Sequence, residues 1–146
     1  MIAGKLSENL AVVATIDPAT IANTETFTDV VDMGANAQAI AIASLGNMAS
    51  ETIDFKCYSC DSDGNNAAAI SGLAATQLAA HASNNDAKQI IINVRDGDLL
   101  ASGKQHVKFG LVTGGATGGP ASVVVLADPR QGLASAADLS SVVEIV

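Results

Sequence analysis

From Leu10 to Ala127 the sequence is a succession of short runs in which apolar and polar residues alternate or β-branched residues cluster, each closed by Gly, Asn, Asp or Pro. A period of two places every second side chain on the same face of an extended strand, whereas a helix would scatter those residues around its surface. Leu10–Ile16 predicts a first strand, stopped by Asp17-Pro18, and Thr26–Val31 a second. Ala37–Leu45 follows, with Ile40 and Ile42 on one face, and ends at Gly46-Asn47. Ile53, Phe55 and Cys57 share one face of the next run while Asp54, Lys56 and Tyr58 share the other, the pattern of a half-buried strand. Lys88–Arg95, which contains Ile90, Ile91, Ile92 and Val94, predicts a buried strand. His106–Thr113 turns Val107, Phe109 and Leu111 inward, Ser122–Ala127 is a further strand, and Val142–Val146 is either another strand or an extended arm.

Seven or eight strands at this spacing predict a mostly β fold with little helix: an antiparallel β-sandwich or a jelly roll, with a small closed barrel as the alternative. Helix propensity is confined to Leu73–His81, which is Ala-rich but follows Gly72 and lacks charge pairs, and to a single turn at Asp96–Leu100 with Asp96 able to cap it. A chain of 146 residues fits one domain. Residues 1–8 are expected to form an N-terminal arm, 9–127 the sandwich, and 128–146 a C-terminal arm that lies on something else. Within the sandwich, Thr113–Pro120 holds Gly114, Gly115, Gly118 and Gly119, too many glycines to pack, and predicts a flexible hairpin tip.

Composition narrows the function more than any motif does. Hydrophobic residues make up 49% of the chain, yet its aromatics are only Phe27, Phe55, Tyr58 and Phe109, so the core must be built from Val, Ile, Leu and Ala. Charged residues are 15%, against about 25% in soluble domains, which leaves a surface of small neutral residues suited to burial in contacts. The net charge of −8 and seven basic residues argue against nucleic acid, whose affinity comes from Lys and Arg on phosphates. Met1–Leu10 lacks a basic stretch followed by an apolar run, and no segment approaches the ~20 apolar residues of a membrane span, so a soluble protein made in a cytoplasm is expected.

Reactive groupings are few. Cys57 and Cys60 form a lone C-x-x-C late in a strand pattern, where residues three apart face opposite ways, so neither a redox pair nor a zinc site is expected; His81 and His106 have no ligand spacing to them. Asp61, Asp63 and Asn65 are spaced like the first ligands of a calcium loop, but the twelfth position, which needs a bidentate Glu, is Gly72, and a turn is the better reading. The glycine tract lacks the Lys of a phosphate-binding loop, and no G-x-S-x-G is present. No catalytic, metal or cofactor residue is assigned, and the chain is expected not to be an enzyme.

Five segments in this order carry a family resemblance: Thr28-Asp29-Val30-Val31-Asp32-Met33, Leu45-Gly46-Asn47-Met48-Ala49, the Ser62-Asp63-Gly64 turn, Ile70-Ser71-Gly72 and Ala127-Asp128-Pro129-Arg130. From about Asn9 to the C-terminus the chain resembles a family of small proteins encoded among the head genes of tailed bacteriophages and prophages. The resemblance implies a capsid decoration, or cement, protein: a structural virion component on the outer capsid surface, made in the bacterial host cytoplasm. It also implies the major capsid protein as partner and self-association as a homotrimer. Extended terminal arms can add a strand to a neighbour's sheet edge, which makes Met1, Ile2 and Leu6 at one end, and Asp128, Pro129, Arg130, Val142, Val143 and Ile145 at the other, the candidate contact residues. A head–tail joining or tail protein is the alternative. A carbohydrate-binding β-sandwich module is a further one, disfavoured because sugar sites use aromatic platforms and the chain has no Trp and a single Tyr.

Overall fold

The computed structural model, which describes residues 6–48, 51–78, 87–115, 118–130, 142 and 144, folds the alternating runs into two antiparallel sheets packed as a sandwich. In chain order the strands are β1 (Ala11–Ile21), β2 (Thr26–Phe27), β3 (Val31–Asp32), β4 (Asn36–Leu45), β5 (Thr52–Cys60), β6 (Ala68–Ala74), β7 (Gln89–Arg95), β8 (His106–Gly114) and β9 (Gly119–Pro129). One sheet has the order β1-β9-β4-β7. The other has the order β2-β8-β5-β6, with β3 also paired to β8.

Unequal side-chain sizes fill the space between the layers. The five-stranded sheet sends in Ile53, Phe55, Val107, Phe109 and Leu111, all fully buried, with the two Phe rings 6.1 Å apart between centroids. Opposite them the four-stranded sheet presents small residues: Ala14, Ala39, Ala41, Ala43 and Ala127, with Val123 and Val125 between. Large residues against small ones keep a core at native density. In β4 this reverses the usual arrangement, because the alanines face the core while Ile40 and Ile42 stand on the outer face, only partly covered.

Several expectations change here. β1 does not stop at Asp17-Pro18 but continues to Ile21 through a register shift between Ile16 and Ala19. It is an edge strand, where a bulge and a proline lacking an N–H are tolerated. The second run splits into β2 and β3 because Thr28 turns inward: its N–H donates to the Phe109 carbonyl at 2.9 Å, and its Oγ1 accepts the Phe109 N–H at 3.1 Å. β7 is not a buried strand but the other edge of its sheet, with Ile91 56% exposed. Leu73 and Ala74 close β6 and Leu78 bridges to Ile53, so the described part of Leu73–His81 is not helical; residues 79–86 lie outside the described ones. Asp96–Leu99 forms the expected single turn, of 3-10 type, but Arg95 and not Asp96 stands at its N-cap: the Arg95 N–H donates to the Asp98 carboxylate at 2.8 Å, and the Asp96 carboxylate accepts the adjacent Gly97 N–H at 2.7 Å.

The glycine tract differs most. β8 and β9 belong to different sheets, so the connection crosses between layers and is not a hairpin. Its flanking glycines pack closely: a Cβ at Gly118, where φ is +70°, would fall on the Ile21 carbonyl, and one at Gly119 would fall on the Met48 sulfur. Thr113 holds the crossing together. Its buried hydroxyl donates to the Ile21 carbonyl oxygen and accepts the Gly119 N–H at 2.9 Å. Thr113→Val keeps the shape and removes both bonds, and is expected to lower the unfolding free energy by about 2–4 kcal/mol in urea titrations, since two buried backbone groups lose a partner. A change under about 0.5 kcal/mol would show that the hydroxyl does not hold the crossing.

Candidate interaction surfaces

The two outer faces of the sandwich differ in chemistry, because the residues that alternate outward differ. On the four-stranded sheet the register sets outward residues side by side across the strands: Val12, Leu126, Ile40 and Asn93 in one row, and Thr15, Val124, Ile42 and Ile91 in the next. Val124 is 39% and Ile91 56% exposed, and the six aliphatic side chains form one continuous patch. The flanking row on one side is neutral on β9, β4 and β7, with Ser122, Ser44 and Gln89, and ends on β1 at the Asp17-Pro18 bulge. The row on the other is Asp128, Gln38 and Arg95, beside a groove of about 420 Å³ that Leu10, Ile40 and Leu126 also line.

The outer face of the five-stranded sheet is charged and already knit together. Phe27 lies over Gly110, its cross-strand partner, and meets Tyr58 edge to face at 5.5 Å between centroids. The Lys108 ammonium sits 3.9 Å from the Phe27 ring centre, and the Tyr58 hydroxyl donates to Glu25 at 2.6 Å. Burial first, then this hydrogen bond and the Glu25 and Asp54 charges, push the Tyr58 phenol up to about 12. The Phe27 ring, 37% exposed, thus carries an ammonium over one face and meets the Tyr58 ring edge to face.

At one end of the sandwich a groove of about 590 Å³ opens between Met33, Leu99, Leu100, Gln105 and Arg130. Arg130 pairs there with Asp96, whose carboxyl its guanidinium holds below the usual range. The Asp61–Asn66 turn is closed by its own side chains: Asp63 accepts the backbone and side-chain N–H groups of Asn65, Asp61 accepts Asn66, and Lys104 pairs with Asp61 at 3.2 Å. These bonds lower both carboxyls, and the turn is a structural one. Among the described residues no three His, Cys, Asp or Glu converge as a metal site would require. Cys57 and Cys60 are buried free thiols; burial, with smaller contributions from Asp98 and Cys60, pushes Cys57 up to about 12.

No family model and no curated protein matches the sequence. Among solved structures the chain is similar to the SPBc2 prophage-derived protein YomS, with a TM-score of 0.51 and 12% identity over 87% of this chain and 97% of that one. The chain shares its fold with a prophage-derived protein. It is also similar to a CBM4 structure, with a TM-score of 0.45 and 13% identity over 83% of this chain and 71% of that one. A chain of the disulfide-linked pili that form Bacillus endospore appendages gives a TM-score of 0.42 and 9% identity, over 89% of this chain and 99% of that one. Among the described residues no helix is long and apolar enough to cross a membrane.

Of the contact residues expected from the sequence, Leu6, Asp128, Pro129, Arg130 and Val142 fall among the described ones. Met1, Ile2, Val143 and Ile145 lie outside the described residues. Leu6 is 65% exposed in a short 3-10 turn, and Val142 is half-buried. Asp128 and Pro129 belong to β9, not to an arm, because the strand pairs with β4 as far as Asn36–Pro129, and the Arg130 N–H donates to the Ala35 carbonyl at 2.9 Å. The aliphatic patch, which includes Ile40, Ile42 and Val124, was missed. Its signal in the sequence was the alternation of Ala with Ile from Ala39 to Ala43, which leaves open which set faces outward.

Proposed function

We propose that the chain is a non-enzymatic structural protein of a tailed bacteriophage virion, decorating and stabilising the outer capsid surface with the major capsid protein as its partner. The observation that carries this reading is the partly exposed aliphatic face of the four-stranded sheet. Contiguous apolar patches rimmed by polar residues mark protein contacts, and here the patch sits on a sandwich whose described polar groups mostly satisfy one another. The family resemblance adds the capsid setting and a homotrimeric arrangement, and the fold shared with a prophage-derived protein is in keeping with it. Many copies, each burying a modest apolar area at subunit junctions, stabilise a shell without any active site. The charge of −8 favours the outer surface, since contact with packaged DNA would set carboxylates against phosphates with few Lys or Arg to offset them. In this role the terminal segments reach neighbouring subunits.

A reconstruction of the intact particle that traces side chains is the test. Many copies spread over the outer surface are expected. Density on the lumen side, or a single ring at the tail vertex, would overturn the assignment, the latter in favour of a head–tail joining or tail protein.

A further inference from the structure

We propose that the outer face of the four-stranded sheet is where a second copy of this chain packs, related to the first by a twofold axis running along β4. The inference rests on the assembly role above and adds the partner and the symmetry of one contact.

The apolar face alone does not choose its partner; the distribution of charge does. Between the Gln38 row and the Ser44 row the face carries no charged side chain, while the opposite face of the sandwich carries Glu25, Asp54, Lys56 and Lys108. Two copies, each at −8, repel over most of their surfaces, and on this face they meet without opposed carboxylates. The patch is bounded at one end by opposite charges on either side of β4. Gln38 is paired to Asp128 on β9 and to Arg95 on β7, so the acid and the base flank it, about 5 Å away on each side at ordinary strand spacing. Neither takes part in the ion pairs found among the described residues.

A half-turn about an axis along β4 exchanges β9 with β7 and leaves β4 facing itself. It sets Asp128 of each copy against Arg95 of the other, Val124 against Ile91, and Ile40 and Ile42 against their own counterparts. This is the self-complementarity that an isologous dimer contact requires. A half-turn across the strands sends the charged row to the opposite end of the patch and makes no such pair. Face-to-face sheets pack about 10 Å apart with their strands nearly aligned, so the outward Ile and Val side chains of the two copies interdigitate as a second core. The contact joins two chains and is therefore separate from the threefold relation within a trimer: it links two free chains, or chains of neighbouring trimers.

Charge exchange in trans tests it, with sedimentation equilibrium of the full chain as the readout. The wild type is expected to form even-numbered species at concentrations below about 100 μM, the affinity range of modest specific contacts. Arg95→Asp sets a new carboxylate against Asp128 on both sides of the axis, and Asp128→Arg sets a new guanidinium against Arg95, so each variant alone should pair at least about tenfold more weakly. An equimolar mixture of the two restores both opposite-charge contacts, and is expected to pair within about threefold of the wild type. A role of these residues within one chain cannot be rescued by mixing. Failure of the mixture to recover, variants that pair like the wild type, or a wild type that stays monomeric or purely trimeric would overturn the proposal. Should either charge variant lose its fold, Ile42→Lys tests the same surface from a side chain that already stands on the outer face, and unchanged pairing there would also overturn it. Pairing in solution supports the contact even where capsids do not bind the chain, so its failure and that of the virion role are told apart.

Discussion

Replacing Phe55 by alanine is expected to lower the unfolding free energy by about 4 kcal/mol, read from the midpoint and slope of urea denaturation. Phe55 is fully buried against Phe109, and the layer facing it is lined by Ala41 and Ala43, whose methyl groups cannot extend into the space a lost ring leaves. In a core with few large side chains each ring accounts for a large share of the buried area, and a void that cannot collapse adds its own cost to the lost transfer energy. Domains of this size are stable by about 5–15 kcal/mol, so the variant should lie near the edge of folding. A loss below about 2 kcal/mol would mean that the sheets close over the gap.

Stability should also fall steeply between pH 9 and pH 12, and the fall should depend on Cys57. Its thiol titrates near 9.0 when exposed and is pushed up to about 12 in the fold by burial. Below pH 9 both states hold the proton and stability is fully present. Above it the unfolded chain releases a proton that the folded chain retains, so stability declines until the folded thiol itself ionises. Across that range the loss amounts to roughly 4 kcal/mol. Tyr58, raised from 10.0 to about 12, acts in the same direction over the upper part of that range, and Cys60, also raised by burial, adds to it. Unfolding in urea at successive pH values, in the wild type and in Cys57→Val, measures this. The variant should keep only the shallower decline from Tyr58 and Cys60, and identical curves for the two proteins would refute the assignment to Cys57.

The sandwich was legible in the sequence because period-two alternation survives wherever one face of a strand is buried: in β5 and β8 the residues read as inward are those found fully buried. What was not legible depended on position in the sheet. Pro18 stops a central strand but not an edge strand, and the sequence does not say which β1 is. Ile90 to Ile92 reads as buried from either face, yet β7 is an edge and Ile91 faces solvent. In β4 the pattern Ala-Ile-Ala-Ile-Ala fixed two faces without assigning them, since either set could line the core; the Phe rings of the opposite sheet leave room only for the alanines. The glycine tract was read for its freedom, but Gly118 and Gly119 are there because neighbouring backbone and Met48 approach too closely for a side chain.

The order of strands also bears on how the protein is made. β9 lies between β1 and β4, and β8 pairs with β2, β3 and β5, so in each sheet a central strand follows all of its partners in the chain. Until residues near 130 have left the ribosome, β1 has no neighbour in its sheet, and β2 and β3 have none in theirs until β8 emerges. Closing loops from one end of the chain to the other is slow, and nascent edges stay unpaired meanwhile. Completion of both sheets thus waits for β8 and β9, and the aliphatic face acquires Val124 and Leu126 only with β9, so a nascent chain that stops short of that strand presents only the β4 and β7 part of the surface on which copies would pair.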